Sequence, residues 1–300
     1  MYLYSIVEFY LPNQSTVGMV SSHQNEQFVP KRSRRVLTDK QRIEQLISFA
    51  YGNAGIENPE ITKELVTQIV MSGKPAEMPS NEWEIGRPDD VRYTSPQNKR
   101  ILEASNQLDL LEYMWELADL WDGELSFSPE ILRRMHEITI QGLYGCAGSW
   151  RDRPIVVSQH SPPSFSRVPL LVEDMCERLN RMDDWITASA YAIWRINWIH
   201  PFNGGNGRIS RAAGYLAIHV ILNEGQLIGQ PNFMELIKDT PANYDQYFQA
   251  LETTDQNVGK ANDPAEPDLS AMETFTGYIY SLQVESAMTQ ESEEDNENDQ

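Results

Sequence analysis

The sequence predicts an all-α protein carrying one small β-hairpin, and three observations support that class. Apolar residues recur at helical spacing through most segments. Helix-start signals precede several of these segments. A single run of β-branched residues is bounded by turn formers. At 300 residues, with seven Trp and thirteen Tyr, the chain can bury a substantial core.

Residues 1–36 mix Asn, Gln and Ser with apolar patches and read as a loosely attached arm; the basic cluster Lys31–Arg35 in it reads as a solvated linker, with binding of an acidic partner as the alternative. Thr38 with Gln41 has the form of a capping box, and Ile43, Leu46, Ile47 and Ala50 continue it at helical spacing. A second helix runs through Leu65, Val66, Ile69 and Val70 and stops at Gly73. Residues 74–98, rich in Pro, Asn and charge, form a connecting loop. Ile101, Leu102, Leu108, Leu111, Met114, Trp115, Leu117 and Leu120 then mark a long amphipathic helix. Ser128-Pro129-Glu130 opens the next one, serine as N-cap and proline in the first turn, followed by Ile131, Met135 and Ile138.

The segment Trp150 to Pro163 changes character. Its Ile155-Val156-Val157 run predicts the hairpin, with His160 as part of the turn and not as a ligand. Helical patterns return at Val168 to Arg181 and Ala188 to Ile199, and again through Ala212, Ala213, Leu216, Ala217, Val220 and Ile221. Leu236 to Asp239, Tyr244 to Leu251 and Leu269 to Ala287 complete the set.

A formal charge of −20 argues against general affinity for nucleic acid or an anionic membrane surface. Two cysteines, Cys146 and Cys176, form neither a disulfide framework nor a metal cluster, and a reducing cytoplasm is the expected home. No basic n-region opens the chain, and the apolar stretch Tyr191 to Ile199 contains Arg195 and is too short for a bilayer. The last ten residues carry six acidic side chains and read as a solvated end.

Between two helical patterns lies His200-Pro-Phe-Asn-Gly-Gly-Asn-Gly-Arg-Ile-Ser-Arg211. Its glycines let backbone N–H groups approach an anion, and the helix it opens presents unpaired donors and partial positive charge. Arg208 and Arg211, three apart, project from one side and can grip phosphate oxygens bidentately. His200 stands at the mouth of this cradle, placed as a general base.

The string resembles the signature of the Fic (Fido) family, His-x-Phe-x-(Asp/Glu)-Gly-Asn-Gly-Arg-x-x-Arg. His200, Phe202, Gly205, Asn206, Gly207, Arg208 and Arg211 match, whereas Gly204 stands where most members carry the acid that holds magnesium. The resemblance implies a helical core with the hairpin as a flap over the site. It implies transfer of AMP from ATP to a Ser, Thr or Tyr hydroxyl of a protein, with His200 catalytic. Gly205, Asn206, Gly207, Arg208 and Arg211 would bind the phosphates, and Phe202 would anchor the turn. Mg2+ would then have to bind without the usual acidic ligand, and no metal-ligating residue is assigned. Tyr244 and Tyr247 fall where members of this family place residues near the nucleotide base; a core role on a helix face is an equal alternative.

Many members carry an inhibitory helix with (Ser/Thr)-x-x-x-Glu-(Gly/Asn), whose glutamate pairs with the second signature arginine. Asn53-Ala-Gly-Ile-Glu57-Asn58 resembles it, with Asn53 in place of the hydroxyl residue; a frame on Ser48, Gly52 and Asn53 keeps the serine and loses the glutamate. Glu57 is therefore the expected inhibitory residue. The organisation expected is an arm (1–36), an N-terminal helical region with the inhibitory helix (37–98), the Fic core (99–252), a C-terminal helical extension (253–288) and an acidic disordered tail (289–300). The expected partner is a protein hydroxyl, with neither nucleic acid nor membrane, and a homodimer is admitted. Two alternatives stand beside an adenylyltransferase: a degenerate nucleotide-binding module that regulates a partner without transfer, and an enzyme using another donor.

Overall fold

A computed structural model of the chain describes residues 37–72, 95–121, 123–157, 160–222, 232–259 and 269–298. The arm 1–36 with its basic cluster and most of the loop 74–98 lie outside the described residues. Ten α-helices follow in order among those residues: α1 (Asp39–Glu57), α2 (Lys63–Ser72), α3 (Pro96–Trp121), α4 (Pro129–Ile140), α5 (Val168–Leu179), α6 (Trp185–Ile199), α7 (Asn206–Leu222), α8 (Phe233–Asp239), α9 (Pro241–Gly259) and α10 (Glu273–Asn298). The last of these carries helix into the acidic segment assigned above to a disordered tail from residue 289.

Local chemistry explains the starts. Thr38 Oγ1 accepts from Gln41 N at 3.3 Å while Gln41 Oε1 accepts from Thr38 N at 3.0 Å, so the capping box is complete. Ser128 Oγ accepts from Ile131 N, with Pro129 in the first turn of α4. Helix α6 begins three residues earlier than the apolar pattern, because Asp184 caps it through Thr187 N at 2.9 Å. Helix α5 ends short of Arg181, where the Asn180 side chain turns to pair with both backbone groups of Phe127.

Helices α6 and α7 form the centre of the core, with Ala190, Ile193, Trp194, Ile209, Ala213 and Ala217 all buried. Small residues on α7 allow close approach to α6, as the alanine pattern implies. Helix α1 packs on α3 and α8, and a smaller apolar cluster of Ala50, Ala54, Ile61, Val66, Ile69, Ala104 and Leu108 joins it to α2 and α3. Among the described residues no helix is long and apolar enough to cross a membrane.

The hairpin is the point of difference. No strand forms among the described residues; Val157 and His160 make an isolated antiparallel bridge, exchanging N–H···O bonds of 3.0 and 2.9 Å. The next bonded pair outward would be Ile155 with Pro162, and proline has no N–H to donate. The ladder therefore ends after one rung.

Candidate active site

Helix α6 runs into the site and stops at His200, whose N–H still bonds Ile196 O at 2.8 Å but whose backbone turns left-handed, φ 49° and ψ 61°. It is the non-glycine residue with positive φ among those described. A left-handed histidine is a strained conformation that surrounding structure must impose. Its Nδ1 lies 3.3 Å from Asn197 O, and since a carbonyl only accepts, the neutral ring keeps its proton there and offers Nε2 as acceptor. Burial, with Arg151 and His160 adding to it against the opposing Asn197 bond and Glu57, pushes the ring down to about 4. His200 is thus neutral at pH 7.

The loop 201–205 is built around Phe202. Asn206 closes it by pairing both ends of its carboxamide with the Phe202 backbone, Oδ1 from N at 3.0 Å and Nδ2 to O at 2.9 Å. The Phe202 ring stacks on His136 at 3.7 Å and packs on Trp150. His136, on α4, uses both ring nitrogens: Gly148 N donates to Nδ1, and Nε2 donates to Gly204 O, each at 3.0 Å. Burial pushes this ring down to about 3, Arg208 adding to the effect against the Gly204 bond. Gly205 has φ +77°, and a β-carbon there would meet Ile140 at 2.9 Å, so glycine is required. Gly204 differs: its φ is ordinary and a β-carbon would meet nothing within 4 Å.

Helix α7 then starts, with Ile209 N to Gly205 O as its first backbone bond, so the N–H groups of its first turn face the loop. Arg211, 1% exposed, donates from Nε to Asn53 Oδ1 and from Nη2 to Asn53 O, both 3.0 Å, and from Nη2 to Glu57 Oε1 at 2.9 Å. The Glu57 carboxylate lies against Gly207, where a β-carbon would overlap it. Burial alone would raise Glu57, but Arg211 and Arg208 hold its carboxyl below the usual range. The Asn53 amide also donates to Gln107 Oε1 at 2.7 Å and to Arg208 O at 3.1 Å, so the asparagine joins three helices where a hydroxyl could reach fewer groups. Ser48, the anchor of the alternative frame, faces Glu235 and Asn232 of the α8 region instead.

Arg208 is buried and pairs with the buried Glu103 of α3 at 3.4 Å, while its Nε finds no hydrogen-bond partner. Glu103 also accepts from Asn58 at 2.7 Å. Tyr247 is buried with its ring on Phe248 and Phe275 and its hydroxyl beside Arg211; Tyr244 is partly exposed and rests on Phe248. His160 turns its Nε2 to Trp198 O at 2.8 Å and its Nδ1 toward Asp255 at 3.8 Å, a packing role consistent with a turn residue.

The structure therefore brings His200, Gly205, Gly207, Arg208, Arg211 and Glu57 to one place. Sequence reasoning missed His136, Arg151 and Glu103. A polar residue four after Leu132 on an apolar face was the available signal for His136. Among the described residues no group of three or more His, Cys, Asp or Glu could hold a metal ion.

Residues 126–218 match the family model described as the Fic/DOC family. A curated relative, a protein adenylyltransferase Fic of Nematostella vectensis, is 30% identical over 76 residues, which is 22% of this chain and 16% of that protein's length. A Fic family protein from Desulfovibrio desulfuricans G20 superposes with a TM-score of 0.57 at 23% identity, covering 84% of this chain and 67% of the other. A Fic domain containing signaling protein from Bacteroides thetaiotaomicron VPI-5482 gives 0.65 at 19%, covering 86% and 92%. At these identities the structural likeness establishes the fold.

One prediction concerns acid stability. His136 has a folded pKa of about 3 against an ordinary 6.5, so the unfolded chain binds the proton first. Its stabilising contribution is intact above about pH 6.5 and is lost as pH falls toward 3, at up to about 1.4 kcal/mol per pH unit. Chemical denaturation between pH 7 and 4.5 should show this slope in the wild type and a shallower one in His136→Asn, at the cost of lower stability at pH 7.

Proposed function

Because this chain is a Fic-domain protein, we propose that it transfers a nucleoside monophosphate, AMP from ATP in the first instance, to a Ser, Thr or Tyr hydroxyl of a protein. The observation that carries the reading is His200, whose Nδ1 faces Asn197 O and leaves Nε2 as acceptor, at one end of the loop whose other end starts α7 at Asn206. In the proposed step Nε2 takes the proton of the target hydroxyl. The oxygen attacks the α-phosphorus, the bond to the bridging oxygen breaks, and pyrophosphate leaves. The first-turn N–H groups of α7, with Arg208 and Arg211, would hold the phosphate oxygens. The negative charge of the bound phosphates would raise His200 from its low resting value toward one useful for catalysis. An extended stretch of the target would lie along residues 154–156, outside the single bridge that engages both backbone groups of Val157.

In the resting arrangement Glu57 occupies Arg211, so we read this state as restrained. Exposed ion pairs are worth about 1 kcal/mol or less, and breaking a buried one costs roughly 3–5. This pair joins a buried guanidinium to a carboxylate whose side chain is 42% exposed, and it lies between those limits. A γ-phosphate competing for the same guanidinium can displace it.

The residues present do not fit the family's metal site: Gly204 supplies no carboxylate, and no step is assigned to Mg2+ here. That same residue supports a second reading, a nucleotide-binding regulator without transfer.

The deciding experiment incubates purified wild type and Glu57→Gly with labelled ATP, GTP, UTP and CTP. Label should appear on protein more strongly in Glu57→Gly. Adding His200→Ala should reduce it by about 10²–10⁴-fold while calorimetry shows nucleotide binding retained. Arg211→Ala should abolish the gain, because the two effects run through one contact. Silence in every lane, with nucleotide still bound, would favour the regulator.

A further expectation concerns position 204. The open space there accepts a side chain, so Gly204→Asp should fold normally, sharpen Mg2+ dependence and increase transfer. Tight wild-type Mg·ATP binding that the variant does not improve would show that another residue supplies the ligand.

A further inference from the structure

We propose that Arg151 is a positioning residue for the base: its guanidinium clamps the left-handed turn at His200 and ties both limbs of the segment 150–163 to it. The inference rests on His200 acting as the base, as proposed above.

Arg151 is 2% exposed, and its donors go to carbonyls from two separate stretches of chain. Nε donates to His200 O at 2.7 Å and Nη2 to Ile199 O at 3.3 Å. Nη1 reaches Arg153 O at 3.2 Å, and Nη2 also reaches Pro163 O. The backbone N–H of Arg151 donates to Pro201 O at 2.8 Å, so the carbonyls of three consecutive residues at the turn are held by one residue.

A buried guanidinium normally calls for a carboxylate. Here the acceptors include the last carbonyls of α6, the negative end of that helix, which favour a cation without neutralising it. The planar fork matters, because a lysine ammonium is a single point of charge and cannot reach both sides of the gap in fixed geometry. The conformation it stabilises is one that residues with a β-carbon rarely adopt, and the reacting imidazole depends on that backbone for its aim.

The charge acts as well. His200 is faced by Arg151 and His160 from the segment 150–163, by Glu57 from α1 and by Asn197 O from its own helix. Burial is the largest cause of its low value, and Arg151 opposes protonation further while Glu57 favours it. Removing Arg151 should therefore raise the imidazole, whereas a lysine should hold it down.

The test pairs Arg151→Met, which removes fork and charge, with Arg151→Lys, which removes only the fork. Full-length chains labelled with 13C-histidine are titrated by NMR, the His200 resonance being assigned by its loss in His200→Ala. Wild-type His200 should titrate near 4. It should move upward in Arg151→Met and stay low in Arg151→Lys. Transfer is measured in a Glu57→Gly background throughout. Both variants should lose kcat, by about 10²-fold for a base displaced by an ångström. Nucleotide KM should stay within a few-fold, and the acid limb of the kcat profile should move upward in Arg151→Met alone.

Wild-type titration together with wild-type kcat in both variants overturns the proposal, as does a loss confined to KM. Full kcat in Arg151→Lys overturns the role of the fork. If Arg151→Met does not fold, the kcat and KM of Arg151→Lys decide. Failure of the base assignment is separate, since it shows as transfer retained by His200→Ala; if no variant transfers, the titrations still decide the role of the Arg151 charge.

Discussion

A buried guanidinium must be met by acceptors, and Arg211 meets that demand by drawing helix α1 onto the glycine-rich loop. Asn53 supplies two of its acceptors and Glu57 the third, from a segment more than 150 residues away in sequence. The two partners are not equivalent. Asn53 is completely buried and bonds α3 and α7 as well, so removing it would strand several polar groups. Glu57 is half-exposed at the end of α1, and water can replace its bond. A fixed anchor and a more exposed one thus lie on the same helix. The far end of the contact is equally well fixed. Glu235, buried on α8, accepts from Ser48 and from Lys63 at 2.6 Å, and Tyr51 bonds Asp239.

Two histidines lie close to the same loop and do different work, and their hydrogen bonds say which is which. His136 has both nitrogens committed, one to Gly148 N and one to Gly204 O, and its face covered by Phe202. No nitrogen is left for chemistry, and protonating it would break the bond from Gly148. His200 commits one nitrogen to Asn197 O and is less deeply buried. Burial lowers both rings, but only His200 keeps a ring nitrogen outside the loop's own hydrogen bonds. Titration alone would not distinguish them; geometry does.

The helices were legible because their causes are local. Thr38 with Gln41, and Ser128 with Pro129, cap within three residues, and apolar spacing reports a buried face directly. The loop at 200–211 was legible because glycines, arginines and histidine in that order have few other uses, and Glu57 only through the resemblance of the segment from Asn53 to Asn58 to the family's inhibitory motif. The hairpin was legible only in part, because β-branched content marks the extended segment but not that Pro162 stands at the next bonded position of its ladder. The roles of Arg151, His136 and Glu103 were not legible for a common reason, although His136 stands out as a polar residue on an apolar face. Their partners lie 49, 68 and 105 residues away, and for the first two those partners are backbone carbonyls that carry no residue-type signal.

Gly204 and Gly205 show how a fold separates constraint from choice. At 205 the left-handed backbone and the neighbouring Ile140 leave room for hydrogen alone. At 204 neither constraint holds, so the absent carboxylate is a feature of the site's charge and not of its shape. In the resting arrangement the two signature arginines are matched by two carboxylates, Glu57 on Arg211 and Glu103 on Arg208. A triphosphate entering on the proposed reading would bring several negative charges into a site already neutralised, with no carboxylate at 204 to recruit a cation beside it. Its binding then draws on the arginines and the α7 N-terminus, and that attraction is released only as Glu57 withdraws. Nucleotide affinity and displacement of α1's terminal carboxylate are in that case one equilibrium seen from two sides, and whatever stabilises either must favour the other by the same factor.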